Sequence, residues 1–359
     1  MNQVKEIIEQ KRSIKEKTWK TYVRYMHELS NHVCGEDYSG NSFLEDKGRV
    51  SAILNQTDSD GKPLYGGSKK RVCASIILVF LSPDKAMAPV KRSSKTQPIS
   101  FPEAASDLYK HYHGIQSSLT GEYTDKMATQ TKTEKQSENW VEWPAILKLQ
   151  RKYMNTIRRE KFNKKETLDV KEKKLLQDYL ILSLYTLIKP RRLDYAGMKI
   201  YTEDEYLNPT LELTTEATYQ EAVNNFHLQS NCLVISSKIR KTFHFGPGAQ
   251  KNENGGLGVY CLKVPTSLNR VLQLYLKHHE ENFLLFNARR KGEISKDGLS
   301  KEIMKIFETA FQKRISASML RTIHNTAFYT GPSLAEKKKA AEEMGHSVNT
   351  AELHYTKKD

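Results

Sequence analysis

Cations stand at punctuated places in the second half of this sequence. Arg191 and Arg192 follow Pro190 in "KPRRLD", and Lys238, Arg240 and Lys241 lie in "SSKIRKTFHF". Arg321 sits in "SMLRTIHNTAF", and His346 follows Gly345 in "MGHSVNTAELHY", which Tyr355 closes nine residues after the histidine. A phosphodiester under attack gathers negative charge on its non-bridging oxygens. Two arginines and a histidine can meet that charge with charge-assisted hydrogen bonds. A lysine can protonate the departing oxygen, and a phenol can be the nucleophile. Such a set cuts DNA without metal and stores the bond energy in a phosphotyrosine. Other toolkits are missing. There is no convincing carboxylate cluster to hold divalent ions, no P-loop or GxGxxG, and no GxSxG elbow.

Each residue alone reads blandly. Arg191 would be a helix-end surface charge, Lys241 a solvated hairpin charge, and His346 a helix cap favoured by the dipole. Tyr355 is one of 18 tyrosines. Arg321 is less bland, because few other charges surround it and a partly buried guanidinium needs an anionic partner. Their joint occurrence, in order, gives the set its weight.

The elements that must position these residues can be read from periodicity and caps. "KEKKLLQDYLILSLYTLI" predicts a long buried helix halted by Pro190. "CLVISSKIRKTFHFG" predicts a β-hairpin or bent strand, and "VYCLKVP" a further strand. Thr266 is placed to cap "SLNRVLQLYLKHH", and helices fit "SKEIMKIFETAFQKR" and "SMLRTIHNTAFYT". Ser333 with Glu336 makes a capping box for "LAEKKKAAEEM", Gly345 suits its C′ position, and Tyr355 falls on a last short helix starting near Asn349 or Thr350. The second half therefore reads as mainly helical with a small antiparallel sheet.

In the first half, Trp19, Tyr22, Val23, Met26 and Leu29 form the apolar face of one helix, with Lys20 and Arg24 off that face. Ser42 with Glu45 predicts a second helix start. Ser68 predicts a third, "SKKRVCASIILVFL", whose first turn carries Lys69, Lys70 and Arg71. Cations there oppose the helix dipole and make sense beside phosphates, or else as a solvated turn. Residues 83–102, with four prolines, read as an irregular loop. A short helix follows around "EAASDLYKHYHGI", and "TDKMATQTKTEKQSEN" reads as a connector.

Composition bounds the partners. The 359 residues suggest two domains, and 57 Lys and Arg against 42 Asp and Glu leave a net charge of +15. That surplus favours nucleic acid, with an acidic membrane surface as the weaker alternative. Cys34, Cys73, Cys232 and Cys261 are too far apart in sequence for an ordinary zinc site or a disulfide framework, which fits a reducing compartment. The charged start is no signal peptide, and "ASIILVFL" is too short to span a bilayer. A soluble intracellular protein is expected, in cytoplasm or nucleus.

The ordered set "RRLDYAGM", the hairpin "KT", "SMLRT" and "MGHSVNTAELHY" resembles the tyrosine recombinase family, the phage-type integrases and their viral or mobile-element kin. In that family an acidic residue and then an apolar stretch follow the first arginine, as Asp194 and "YAGM" follow Arg191; Arg192 is one residue off. The resemblance implies Arg191, Lys241, Arg321, His346 and the nucleophile Tyr355 as catalytic residues, with Lys238 the second choice of lysine. Ser318 stands where the family usually has a histidine; it joins the catalytic set as a hydroxyl that can donate to a phosphate oxygen, although His244 or His324 could substitute. The expected layout is an arm over 1–13, a helical core-binding DNA clamp over 14–122, a linker over 123–139 and a catalytic domain over 140–359. Lys20, Arg24, Lys69, Lys70 and Arg71 are the expected DNA contacts of the clamp. The implied partner is double-stranded DNA held by a homotetramer on two sites, with no metal or other cofactor. Integration into a genome, as for viral or mobile DNA, is one outcome of that chemistry. A type IB topoisomerase, a telomere resolvase and an integrase-derived DNA-binding protein without catalysis are the rivals.

Overall fold

The computed structural model describes residues 2–12, 14, 16–90, 98–209, 231–246, 260–287, 292–328, 331–345 and 347–357. The chain divides into two compact units, Met1–Lys126 and Met127–Asp359. It is mainly helical, with one four-stranded sheet in the second unit.

The first unit is built from α1 (Asn2–Arg12), α2 (Glu16–Cys34), α3 (Lys47–Asn55), α4 (Gly67–Leu81) and α5 (Asp107–Ala128). Helix α2 buries Trp19, Met26, Leu29 and Val33, the face expected from spacing, with Tyr22 and Val23 half-buried beside them. Trp19 stacks on Phe80 of α4 with ring centroids 5.7 Å apart, and Tyr112 of α5 donates to the Leu44 carbonyl at 2.6 Å. The stretch read as an arm is helical, and Ile8 enters this core.

Several starts and stops differ from the sequence reading. Ser42 opens only a 3₁₀ turn, because the Asp46 carboxylate takes the Arg49 amide at 2.9 Å and starts α3 instead. Helix α4 begins one residue before Ser68, behind Gly66, with no side-chain cap. Helix α5 is far longer than expected and runs into the stretch read as linker, where Thr133 and Gln136 then box the short α6 (Glu134–Glu138). Of the proline-rich loop, residues 91–97 lie outside the described residues, and the remainder holds no helix or strand.

The second unit is organised around α8 (Val170–Thr186), which is apolar on nearly every side, as a core helix must be. Its start is a capping box: Asp169 takes the Glu172 amide at 2.8 Å, and Glu172 takes the Asp169 amide at 3.1 Å. It ends at Thr186, before Pro190. Packed on it are α7 (Trp143–Arg159), α10 (Thr266–Lys277) and α11 (Lys296–Phe311); α9 (Glu203–Leu207) follows the first strand. Helix α7 had no counterpart in the sequence reading, although Pro144 in its first turn and buried Ile146, Leu149 and Ile157 are a regular helical pattern. Helix α10 starts at Thr266 behind Pro265 with no side-chain cap. The sheet runs β1 (Lys199–Thr202), β2 (Cys232–Ile235), β3 (Lys241–Phe245), β4 (Tyr260–Lys263). The predicted hairpin is β2–β3, and β4 is antiparallel to β3. The sheet is not wholly antiparallel, because β1 joins β2 in parallel. Leu233, Phe243 and Phe245 turn from it into the α8 core. Three further helices, α12 (Ala317–Phe328), α13 (Leu334–Glu343) and α14 (Val348–Thr350), carry the chain to its end.

Candidate active site

The chain leaves α8 through Pro190 and turns Arg191 inward until no part of it meets solvent. Three residues on, the Asp194 carboxylate accepts from Arg191 Nε at 3.0 Å. The guanidinium carbon lies 3.9 Å from the centre of the Phe245 ring and 5.6 Å from that of Tyr260, so the ends of β3 and β4 supply an aromatic floor. Arg321 comes from α12, on the face that also buries Leu320 and Asn325, and is likewise fully buried.

Both arginines reach the same corner. The capping box of Ser333 and Glu336 starts α13 as expected. At its other end the last carbonyls have no helical partner. Arg191 Nη1 donates to the Glu343 carbonyl at 2.5 Å, and Arg321 Nη2 to the Met344 carbonyl at 3.2 Å. Gly345, at φ +71°, then reverses the chain in the left-handed conformation that suits glycine. Ser347 caps the next turn by accepting from the Thr350 amide at 3.2 Å, and buried Ala351 seats that turn against Ala341 and Phe328. Five residues of wider turn, Ala351–Tyr355, bring Tyr355 back onto Arg321. Arg321 Nη1 donates to Tyr355 Oη at 2.8 Å, and the guanidinium carbon lies 4.3 Å from the centre of that ring.

The electrostatics of this cluster are lopsided. Arg191 and Arg321 are buried, Arg192 is half-buried beside them, and the buried Asp194 is the acidic group paired with Arg191. Burial lowers the Arg321 pKa to about 10; the Tyr355 contact opposes this, and the neighbouring Arg192 charge adds to it. The guanidinium therefore stays charged at neutral pH. Arg191 Nη2 and Arg321 Nε are buried N–H donors with no hydrogen-bond partner among the described residues. An unpaired buried cationic donor is costly, and an anion with several oxygens would satisfy both. A tetrahedral phosphate has that chemistry.

Of the residues singled out by sequence, the structure brings together Arg191, Arg321 and Tyr355. Of the paired arginines, Arg191 enters the cluster fully, while the Arg192 backbone carbonyl accepts from Tyr185 Oη. Lys241 stands apart. It faces inward on β3 like Phe245, but four residues earlier, about 13 Å along the strand. Its ammonium donates to the Lys238 carbonyl at 2.6 Å and to Asn269 Oδ1 of α10 at 2.8 Å, and burial lowers its pKa. Ser318 is exposed, one turn before Arg321. His346 lies outside the described residues.

The two substitute histidines do not touch the arginines in the described contacts. His324 is buried between Trp143, 5.0 Å away, and Phe328, 5.6 Å away, and burial with the Lys189 charge lowers its pKa to about 4. It lines a cavity of about 540 Å³ with Trp143, Lys189, Lys263, Phe328 and Glu343, beside the corner but apart from both arginines. His244 points to the other face of the sheet, onto Tyr206 at 4.4 Å, with Nδ1 3.4 Å from Cys261 Sγ. Register places Cys232, His244 and Cys261 in one row across β2, β3 and β4, an adjacency that spacing in sequence could not reveal. Among the described residues, no group of three or more His, Cys, Asp or Glu could hold a metal ion.

The cations expected to meet DNA in the first unit have other company. Lys69 pairs with Glu28 and lies 4.5 Å from the Tyr65 ring centre. Lys70 donates to Asn55 Oδ1 at 2.5 Å, and Arg71 lies 3.7 Å from the Tyr123 ring centre. Glu28 thus offsets the unfavourable position of Lys69 at a helix start. Lys20 and Arg24 are exposed on α2, with Glu16 3.8 Å from Lys20. Sequence reasoning missed the Phe245 and Tyr260 floor and the two carbonyls that seat the arginines. The aromatic residues at alternate positions of "TFHF" were its available signal.

No protein-family model matches this chain, and no curated protein matches it. Among solved structures, a crystal structure of XerA recombinase aligns with 100% of this chain and 94% of its own, at 11% identity and a TM-score of 0.30. That likeness is too slight to assign a family. Among the described residues, no helix is long and apolar enough to cross a membrane.

Proposed function

We propose that this chain is a tyrosine-type site-specific recombinase, cutting and rejoining duplex DNA through a phosphotyrosine at Tyr355. The observation that carries the reading is the convergence of Arg191 and Arg321 on one corner with Tyr355 bonded to Arg321, while two buried guanidinium donors have no partner among the described residues. The order of motifs resembling the recombinase family supports the same reading.

In this reading Tyr355 Oη attacks the scissile phosphorus and loses its proton to water, and the bond from phosphorus to the 5′ oxygen breaks. Arg191 and Arg321 hold the oxygens on which charge accumulates, with His346 beside them and Ser318 as a hydroxyl donor. Lys241, released from Asn269 and the Lys238 carbonyl when DNA binds, would protonate the leaving 5′ oxygen. A 5′-hydroxyl from a second duplex reverses the step and exchanges strands. Four copies on two DNA sites would pair the cleavages, and Lys20 and Arg24 of the first unit would hold backbone phosphates. Insertion of viral or other mobile DNA is within reach of this chemistry.

Lys241 held by Asn269, together with serine at position 318, favours a second reading: a DNA-binding protein of the same ancestry that no longer cleaves. Duplexes nicked near the scissile phosphate separate the two, because the cut fragment escapes and the link is trapped. A detergent-resistant adduct that Tyr355→Phe abolishes supports the recombinase. No adduct, with Tyr355→Phe binding DNA as well as wild type, leaves the binding protein. Relaxation of plasmid without a preferred site would point to a topoisomerase instead.

A further inference from the structure

The turn between β2 and β3 holds a large apolar side chain out in water. Ile239 is 74% exposed, and the side chains on either side of it, Lys238 and Arg240, are exposed as well. The turn is also fixed from behind. The amides of Ser236 and Ser237 both donate to the Arg240 carbonyl at 3.1 Å, and the Arg240 amide donates to Ser237 Oγ at 3.0 Å. The Lys238 carbonyl accepts from Lys241 Nζ at 2.6 Å, Gln273 Nε2 at 2.6 Å and Asn269 Nδ2 at 3.3 Å. Asn269 and Gln273 thus tie the backbone of the turn to α10 while Ile239 stays in solvent.

Other exposed apolar residues lack this setting. Val170 and Leu334 are the first residues of α8 and α13, each behind a polar cap. Ile239 alone among these three is flanked by cations on both sides and carried by a turn pinned at three hydrogen bonds to one carbonyl. The flanking charge calls for a polyanion, and the apolar tip calls for an apolar interior within a side chain's length of that charge. Duplex DNA offers both: phosphates along the minor groove, and stacked bases that an aliphatic wedge can part.

We propose that Ile239 enters the minor groove as a wedge at one base step, with Lys238 and Arg240 on the flanking phosphates. The hairpin then selects sites by how easily that step opens, rather than by base-edge hydrogen bonds. This rests on the chain binding duplex DNA, as proposed above. Flexible pyrimidine–purine steps are the favoured targets.

A randomised pool lets the protein choose its own site. Wild type and Ile239→Ala are each incubated with duplexes randomised at their centre, and the bound fraction is sequenced. Wild type should enrich TA or CA/TG at one fixed position, and Ile239→Ala should lose about tenfold of that enrichment while keeping the rest of the preference. 2-Aminopurine placed at the selected step should brighten with wild type, as an unstacked base does, and stay dim with Ile239→Ala. Replacing Lys238 and Arg240 together by alanine should flatten the slope of log affinity against log salt by about 1.8. Equal enrichment in both proteins, or no change in fluorescence, overturns the wedge while the DNA reading stands. Failure of wild type to bind the pool at low salt removes both. Ile239 lies outside the core, so an unchanged melting temperature confirms that the variant is folded.

Discussion

Two clusters of cations in this molecule look alike in sequence and differ in structure. At the start of α4, Lys69, Lys70 and Arg71 each find a partner nearby: the Glu28 carboxylate, the Asn55 amide oxygen and the Tyr123 ring. Around the α13 corner, Arg191 and Arg321 share Asp194, two carbonyls and a phenol, with Arg192 beside them, and among the described residues two buried donors are left over. A run of basic residues is therefore weak grounds for a ligand. Buried positive charge that the fold does not neutralise is much stronger, because the protein bears its desolvation cost without the ligand.

The largest effect expected from that contrast is at Arg321. Arg321→Ala should leave DNA affinity within a few-fold of wild type and lower adduct formation by about a thousandfold. An unchanged rate of cleavage would remove Arg321 from the site.

Lys241 comes next, as a buried cation whose hydrogen bonds among the described residues go to neutral oxygens. In the proposed role of acid it must be protonated, and burial lowers its pKa, so cleavage should fall with rising pH earlier than an ordinary lysine would dictate. Lys241→Ala should lower cleavage by about a hundredfold. A substrate whose 5′ leaving atom is sulfur needs no proton and should recover most of the loss. Lack of recovery would assign Lys241 to structure alone.

His324 tests the same principle with a titratable base. Its pKa is lowered from 6.5 to about 4 by burial and the Lys189 charge. The unfolded chain takes up this proton as pH falls through 6.5, whereas the folded chain resists until about 4, so stability is lost across that window. The loss is on the order of 3 kcal/mol between pH 7 and pH 4, and His324→Gln should remove most of it. Parallel pH profiles of unfolding free energy for the two proteins would contradict this.

The smallest effect belongs to the satisfied cluster. Lys69→Ala should cost at most about 1 kcal/mol of stability and leave the salt dependence of DNA binding unchanged. A slope that drops by about 0.9 would return Lys69 to the phosphate contacts.

What could be read in the sequence follows the range of the interactions. The Ser333 box, the Gly345 turn and the β2–β3 hairpin are contacts within a few residues, and caps and residue patterning exposed them, while the spacing of Arg191 and Asp194 was read from the resemblance to the recombinase motif. The contacts that fix the site are distant in sequence, Arg191 to Glu343 and Arg321 to Met344 and Tyr355, as is the contact that holds Lys241 away from it, to Asn269. Nothing local encodes them, so order along the chain suggested a shared site but not which members would meet. The parallel strand β1 was hidden for a related reason, since its partner β2 lies beyond a long intervening stretch. Where two local signals competed, the stronger acceptor won: the Asp46 carboxylate rather than Ser42 starts α3. Lys69, read from sequence as lying beside phosphates or in a solvated turn, pairs with Glu28, 41 residues away, a contact nothing local encodes.

The central claim is that Tyr355 attacks phosphorus while bound to a guanidinium. Mass spectrometry of the peptide attached to trapped DNA tests it most directly. The predicted result is a deoxynucleotide 3′-phosphate on Tyr355, absent from both Tyr355→Phe and Arg321→Ala. A link on any other residue, or one that persists in Tyr355→Phe, contradicts the account.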